Sequence, residues 1–412
     1  MANKPELIVG LDIGTSKVAV IVGEMQEGGA EIVGMGAAPS EGLRKGVVVS
    51  IDATSQAIEE AVKEAEVTAG CEIHTVVANV GGAHIRGVNS HGVVGVKNRE
   101  VDQNDVDRVL EAARAIALPA DRDILHVLPQ DFVLDGQDGI RNPVGMSGVR
   151  LEARVHVVTT LTPSAQNVIK CCQRTGLHVA DLVLEPLAAA EAVLTPDEKE
   201  LGVALIDLGA GTTDLLVFSK GSLKHTAILS LGGNHVTNDI AAGLKTHFRE
   251  AEILKLRSGC ALARAVRRDQ TVEVAGVAGR HSRLVSRQLL AQVIEARVEE
   301  LLTLARHQIV KCGFDEMLGS GIVLTGGTAL LDAIVPLAEG IFQTQVRIGV
   351  PSDGRPGGNG LVESVRSPAF ASAVGLVRYG ANPRDHVPAR REDDGAFGRM
   401  RRRVVGWIET FF

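Results

Sequence analysis

The chain has 412 residues, 45% of them apolar and 23% charged, which is enough for two or more domains with cores of their own. Its formal net charge of −7 argues against nucleic acid as a main partner, because phosphate binding needs a concentrated basic surface. Five scattered cysteines give neither a disulfide framework nor a CxxC pair, and the start lacks the apolar core of a signal peptide. With no unbroken apolar run of about 18 residues, the sequence reads as a cytoplasmic protein in a reducing setting.

In chain order, ELIVGLDIGTSKVAVIVGEM and AEIVGMGAAP are β-rich runs broken by glycine and predict consecutive antiparallel strands. DATSQAIEEAVKEAEVTAG follows with Ala57, Ile58, Ala61, Val62 and Ala65 on one helical face, and then the strand TVVANVGG. Residues 84 to 158 read as an inserted unit: strands IRGVNSHGVVGV and RVHVVTT, a helix at VDQNDVDRVLEAARAI, and the loop GQDGIRNPVGMSG. The helix SAQNVIKCCQRTG, whose paired cysteines read as packing, and the strand ADLVLEP close the first half. The second half holds ALIDLGAGTTDLLVFSKGSLKHTAIL, a mixed helical stretch over 232 to 313, the strand GIVLTGG and the helix FASAVGLVRYG. Residues 381 to 398 are rich in charge, proline and glycine and read as a flexible linker.

VGLDIGTSKVAVIV and ALIDLGAGTTDLLVF share one pattern: apolar strand, aspartate, glycine, a small or hydroxyl turn, and a second apolar strand. Two such units about 195 residues apart predict a duplicated α/β domain with a cleft between the copies. Glycine-rich turns offer backbone N–H groups to phosphate oxygens, and Thr15, Ser16 and Lys17 can add donors on one wall. Gly209, Gly211, Thr212 and Thr213 can do so on the other. Asp12 and Asp207 at the strand ends would face the phosphates, where a hydrated Mg²⁺ bridging carboxylate and phosphate is the usual solution. A third glycine turn, LTGG at 324 to 327, can lie against an adenine or ribose.

This set resembles the actin, sugar-kinase and heat-shock-chaperone superfamily, with DIGTSK and DLGAGTTD as the phosphate loops and VLTGGTALL as the adenosine loop. LEPLAAAEAVL resembles that superfamily's connecting helix, whose early acidic residue, here Glu185, helps to place an attacking water; a helix-start carboxylate facing the dipole is the other reading. Within the superfamily, IRNPVGMSGVRLEA, AEILKLRSGCAL and TQVRIGVP are similar to the FtsA family, actin-like bacterial division proteins that tether FtsZ filaments to the membrane. The resemblance implies duplicated ribonuclease-H-like domains around a nucleotide cleft, with domain 1A at 1–83 and 159–200, an inserted subdomain 1C at 84–158, domain 2A at 201–231 and 306–380, and subdomain 2B at 232–305. It implies that Asp12, Gly14, Thr15, Ser16 and Lys17 meet ATP phosphates and Mg²⁺, that Asp207, Gly209, Gly211, Thr212 and Thr213 meet them from the other side, and that Glu185 and Asp207 place water for at most slow hydrolysis. Glu252 and Lys255, with Gly326, Gly327 and Thr328, would complete the ribose and adenine pocket, although Glu252 and Lys255 by themselves read as solvated helix charges. Implied partners are the FtsZ tail on 2B, where Arg297 reads as an exposed charge, further copies of the chain in filaments, and later division proteins on 1C.

The terminal run MRRRVVGWIETFF holds the single tryptophan. On a helix, Val404, Val405, Trp407, Ile408, Phe411 and Phe412 fill an arc of roughly 160°, with Arg399, Arg402 and Arg403 outside it and Arg401 near the start, where it can snorkel. About 14 helical residues span roughly 21 Å, too short to cross a bilayer, so such a helix would lie in the interface of an anionic membrane. The expected place is the cytoplasmic face of the inner membrane at the septum. Folding back on the body, or docking on a protein partner, are the other uses of such a tail. A small-molecule kinase of the same superfamily, or a pilus-assembly or shape-determining actin homologue, are the competing assignments, and a compact 84–158 unit discriminates among them.

Overall fold

The structure, a computed structural model, describes residues 6–26, 29–276, 281–351 and 365–382, and the backbone of residues 387–388. The amphipathic run 399–412, with all of the expected membrane residues, lies outside the described residues, as does most of the segment 381–398.

The first half opens with β1 (Leu7–Ile13), β2 (Lys17–Gln26) and β3 (Gly29–Pro39), a short hairpin of β4 (Leu43–Arg44) and β5 (Val47–Val48), α1 (Ile51–Ala69) and β6 (Thr75–Val80). Ser50 caps α1 by accepting from the Ala53 amide, and Gly70 ends it in the left-handed conformation. Its buried face includes Ala57, Ile58, Ala61, Val62 and Ala65, the face that periodicity predicts. An excursion follows: β7 (Arg86–Gly95), α2 (Gln103–Arg114), β8 (Arg122–Leu134), β9 (Gln137–Ile140) and β10 (Arg150–Leu161). The stretch expected as a loop from 136 to 148 therefore contains β9, which pairs with β8. The chain returns through α3 (Thr162–Arg174), β11 (His178–Leu184), α4 (Glu185–Val193) and α5 (Pro196–Leu201). Cys171 and Cys172 of α3 are buried in the first-half core, as expected.

The second half repeats the plan with β12 (Val203–Leu208), β13 (Thr213–Ser219) and β14 (Ser222–Leu229). Then come α6 (Gly233–Leu244), α7 (Phe248–Ser258), the hairpin β15 (Thr271–Val274) and β16 (Arg283–Ser286), and α8 (Arg287–Lys311). β17 (Ile322–Thr325), α9 (Ile334–Phe342), β18 (Val346–Ile348), α10 (Ala371–Ala381) and the two-residue β19 (Val387–Pro388) complete it. The first sheet has the order β11-β6-β1-β2-β3 and the second β18-β17-β12-β13-β14. In each, the first three strands in sequence are antiparallel and the last two add in parallel. The duplication legible in the turns thus extends to whole sheets.

Helices α4 and α10 hold the two sheets together. α4 is alanine-rich, and a Cβ on Gly375 of α10 would fall 1.7 Å from the Ala188 carbonyl oxygen, so the two backbones touch. A Cβ on Gly10 of β1 would likewise fall 2.6 Å from the Ala373 carbonyl. Only hydrogen fits at either place.

The excursion forms its own sheet, in the order β19-β8-β10-β7, with α2 packed on it and a separate core around Val109, Phe132, Leu151 and Val155. Although covalently part of the first half, it also docks on β14 of the second. Gln130 Nε2 donates to the Leu223 carbonyl at 2.8 Å, and the His156 ring bridges Asn89 Oδ1 at 2.6 Å and Thr226 Oγ1 at 3.0 Å. In the segment read as a linker, β19 pairs with β8 at Val127 and His126. Among the described residues no helix is long and apolar enough to cross a membrane.

Two outcomes follow. Gly375→Ala forces backbone from backbone at the α4–α10 crossing, and we expect a loss of about 3 kcal/mol or more, measured as a fall in denaturation midpoint. Burial holds His156, which is 1% exposed, down at about 4, so the folded state keeps the ring neutral. The unfolded chain takes up that proton first, so this contribution is complete above the ordinary histidine value of 6.5 and is lost as pH falls from there toward 4. His156→Gln should flatten the acid limb of the stability curve in that window.

Candidate nucleotide site

The ends of the two central hairpins meet between the sheets. β1 delivers Asp12, whose Oδ1 accepts from Asn79 Nδ2 at 2.7 Å, while Asn79 Oδ1 accepts from the Ile13 amide at 2.8 Å. β12 delivers Asp207, buried, with Oδ2 accepting from Ser372 Oγ of α10 at 3.4 Å. Directly across the β12–β13 register from Asp207 lies Asp214. Its Oδ2 accepts from Thr212 Oγ1 at 3.1 Å, but its Oδ1 is buried with no hydrogen-bond partner. Glu185, the first residue of α4, sets its carboxylate against Gly81, where a Cβ would fall 2.3 Å from Oε2.

Four carboxylates thus crowd one cleft, and their acidities respond. Burial pushes Asp12 up to about 6, against the pull of Lys17 and Asn79. Burial, reinforced by Asp12, pushes Asp207 up to about 7. Asp214 and Glu185 stand well above the ordinary carboxylate range, each through burial first and then neighbouring negative charge. Lys17 is lowered by burial although Asp12 and Asp207 oppose it, and its ammonium lies 3.5 Å from the centroid of the Phe370 ring. A cleft with this surplus of acidic over basic groups would gain from a bound cation, and the orphaned Asp214 oxygen is a buried acceptor without a partner. Among the described residues no three such side chains converge closely enough to hold a bare ion, so a divalent cation would have to be held through its hydration shell.

The glycine turns line the same space. Gly14 closes its turn by donating to the Lys17 carbonyl at 3.0 Å, Thr15 Oγ1 accepts from the Gly46 amide at 3.1 Å, and Ser16 is exposed. From the second half, a Cβ on Gly211 would lie 2.7 Å from Thr15 Oγ1, so the two loops touch. The Gly209 carbonyl accepts from the Gly233 amide at 2.9 Å and from Thr328 Oγ1 at 3.2 Å, tying the second loop to α6 and to the LTGG turn. Gly326 has φ +84°, and a Cβ there would fall 2.3 Å from Asp207 Oδ1; Gly327 follows it in the same turn. Thr213 departs from the expectation: it is fully buried and spends its hydroxyl on the Leu231 carbonyl at 2.8 Å, bracing the loop before α6.

Glu252 and Lys255 are not solvated helix charges. Lys255 is 7% exposed and donates to the Gly233 carbonyl at 3.2 Å, Thr237 Oγ1 at 2.9 Å and Glu252 Oε2 at 2.8 Å. Their face of α7 turns toward the start of α6 and the second loop, because α6 supplies hydrogen-bond partners that sequence periodicity cannot register. Arg297, expected as an exposed charge, is instead paired with Asp239 at 2.5 Å and with Glu300. Sequence reasoning missed Asn79, Asp214, Ser372 and Phe370. Asp214 closes the quoted DLGAGTTD motif and was open to discovery; the other three stand outside any motif.

The raised carboxylates make the stability of the unliganded chain depend on pH. An acid whose folded value is raised costs stability as pH rises from its ordinary value to the raised one, because over that range the unfolded chain releases the proton and gains solvation that the buried group is denied. For Asp207, a shift from 3.8 to about 7 is worth at most about 4 kcal/mol. Without nucleotide or divalent cation, Asp207 should cost the chain stability as pH rises from 3.8 to about 7, opposing the histidine gain over the same range, and its slope should be gone above that. Calorimetry of Asp207→Asn should show that slope reduced.

Comparison with known proteins accords with this architecture. A family model described as "Cell division protein FtsA" matches residues 204–375, and one described as "SHS2 domain inserted in FTSA" matches residues 82–159. Cell division protein FtsA of Pseudomonas aeruginosa is 50% identical over 91% of this chain and 89% of its own length. The Neisseria meningitidis FtsA is 43% identical over the whole of both chains, and that of Escherichia coli K12 is 39% identical over 100% and 99%. Among solved structures, the PilM-PilN type IV pilus biogenesis complex matches with TM-score 0.63 at 19% identity, covering 91% of this chain and 98% of that one. MreB5 of Spiroplasma citri bound to ADP matches with TM-score 0.54 at 14% identity, covering 91% and 96%. The fold is that of the actin-like proteins, and the chain belongs to the FtsA family of cell division proteins.

Proposed function

We propose that this chain binds Mg-ATP in the carboxylate cleft, polymerises on the cytoplasmic face of the inner membrane at the septum, and anchors FtsZ filaments there through its C-terminal helix. The observation that carries the nucleotide reading is the meeting of two glycine loops, each with its buried aspartate, in one cleft whose charge calls for a cation. Asp12, Asp207 and Asp214 would hold hydrated Mg²⁺, which would neutralise phosphate charge; Gly14, Thr15, Ser16, Lys17, Gly209, Gly211 and Thr212 would cradle the phosphates. Thr213 would contribute its backbone. Glu252, Lys255, Gly326, Gly327 and Thr328 would form the nucleoside side, and Glu185 would orient water for slow turnover.

Residues 84–158 as subdomain 1C would meet later division proteins and neighbouring copies. The 232–305 region as 2B would take the FtsZ tail. A groove of about 390 Å³ between α7 and the β15–β16 hairpin supports the second reading: Ile253, Leu254 and Val272 line it together with Arg257, Glu250 and Glu273, and Leu256 and Leu284 stand more than 70% exposed nearby. Its exposed leucines suit the apolar side chains of a docked segment.

Opposing energies set the membrane affinity of the tail. Six partly buried apolar side chains contribute on the order of 5 kcal/mol, and arginines near an anionic leaflet about 1 kcal/mol each before screening. Ordering the helix opposes this by about 1 kcal/mol or more per residue. One copy therefore binds weakly, and a filament binds firmly because its anchors act together.

Co-sedimentation with anionic liposomes in Mg-ATP tests this. The intact chain should pellet with lipid, and a chain stopped after Gly398 should stay in the supernatant. Equal behaviour of the two would assign the terminal run to the body or to a protein partner.

A further inference from the structure

The β4–β5 hairpin belongs to neither glycine loop, yet its tip lies against both. Leu43 pairs with Val48 and Arg44 with Val47, leaving Lys45 and Gly46 as a two-residue turn, both with positive φ, 54° and 75°. The pattern is that of the tight hairpin turn that normally prefers asparagine followed by glycine. The Gly46 amide donates to Thr15 Oγ1 of the first loop at 3.1 Å. A Cβ on Gly46 would fall 2.8 Å from the Gly82 amide nitrogen, next to Gly81, on which the Glu185 carboxylate rests. From the second half, a Cβ on Gly211 would fall 2.9 Å from Lys45 Cα and 2.7 Å from Thr15 Oγ1. The tip is therefore wedged where the two phosphate loops and the start of α4 converge.

A lysine with positive φ is not informative by itself. Lys220 and Gly221 make the same kind of turn between β13 and β14, and Lys220 is simply a surface residue there. What distinguishes Lys45 is its position and its chemistry. It is exposed, on a long flexible stem, and no ion pair or hydrogen bond engages its ammonium among the described residues. The cleft beside it gathers Asp12, Asp207, Asp214 and Glu185 around the half-buried Lys17, while the buried Lys255 is engaged by Glu252, so an added terminal phosphate enters a site poor in free positive charge.

We infer that Lys45 is a second phosphate-binding lysine, which engages the terminal phosphate of a nucleoside triphosphate and so distinguishes the triphosphate from the diphosphate. Its backbone touches Gly211 of the opposite half, so the same contact favours closure of the two halves around the triphosphate. This rests on the nucleotide reading of the cleft given above.

Lys45→Asn is the decisive variant, because asparagine suits the turn at least as well as lysine while removing the charge. Lys45→Gly serves as a second variant with the same property. Calorimetric titration of the full-length wild type and both variants with Mg-ATP and with Mg-ADP gives the readout, alongside melting temperatures without nucleotide. We expect melting temperatures at or above wild type, ATP affinity lowered by about tenfold or more, the worth of one charge-assisted hydrogen bond, and ADP affinity within about twofold of wild type. Unchanged ATP affinity in both folded variants would overturn the inference, leaving the hairpin a packing element. Equal weakening of ATP and ADP would overturn it too, since the residue would not read the terminal phosphate. A wild-type chain that takes up neither nucleotide would remove the nucleotide reading itself, an outcome distinct from both.

Discussion

The contact on which the rest depends is the crossing of α4 and α10. Two helices that touch backbone to backbone, with Gly375 on Ala188, leave no room for a layer of large side chains between the halves. α4 begins where β11 ends and so carries Glu185 into the cleft; α10 starts with Ala371 and Ser372, and Ser372 steadies Asp207 from behind. The alanine run of α4 and the bare glycines of β1 and α10 set the spacing of the carboxylates. Bulk at that crossing would separate the phosphate loops and remove the site without touching any residue in it.

The cleft itself is costly to the fold. Four carboxylates in one buried space, one of them with an orphaned oxygen, are destabilising unless a cation arrives. The surrounding second-half core, from Leu205 and Ile206 to Leu324, is almost wholly apolar and supports that cost. A site poised in this way couples ligand to stability, because whatever neutralises the cleft also stabilises the folded chain.

The inserted sheet adds a second tie between the halves. Its contacts to β14 include hydrogen bonds through Gln130, Asn89 and His156, and Leu125, Leu128 and Val158 of the inserted unit share one apolar core with Leu223. The hydrogen-bonded part of this docking can be remade at lower cost than the α4–α10 crossing.

By itself the sequence determined a good deal: the duplicated strand-turn-strand units, the inward face of α1, the existence of the inserted unit, and the aspartates of both turns. Each is a local signal, because strand period, helix period and glycine turns are written in neighbouring residues. It could not determine which distant side chains would share a space. Asn79 meets Asp12 because β6 adds in parallel beside β1, and Asp214 faces Asp207 through the register of one hairpin. Lys255 is buried because α6 lies against α7, Arg297 is neutralised by Asp239 fifty-eight residues earlier in the chain, and Thr213 turns to Leu231 rather than to the cleft. Lys45 gave no signal at all, since a Lys-Gly turn looks the same on an idle hairpin as on one wedged between two loops. Sheet order and helix crossing decided these things, and both are properties of the assembled core, in which adjacency is set by packing and not by distance along the chain.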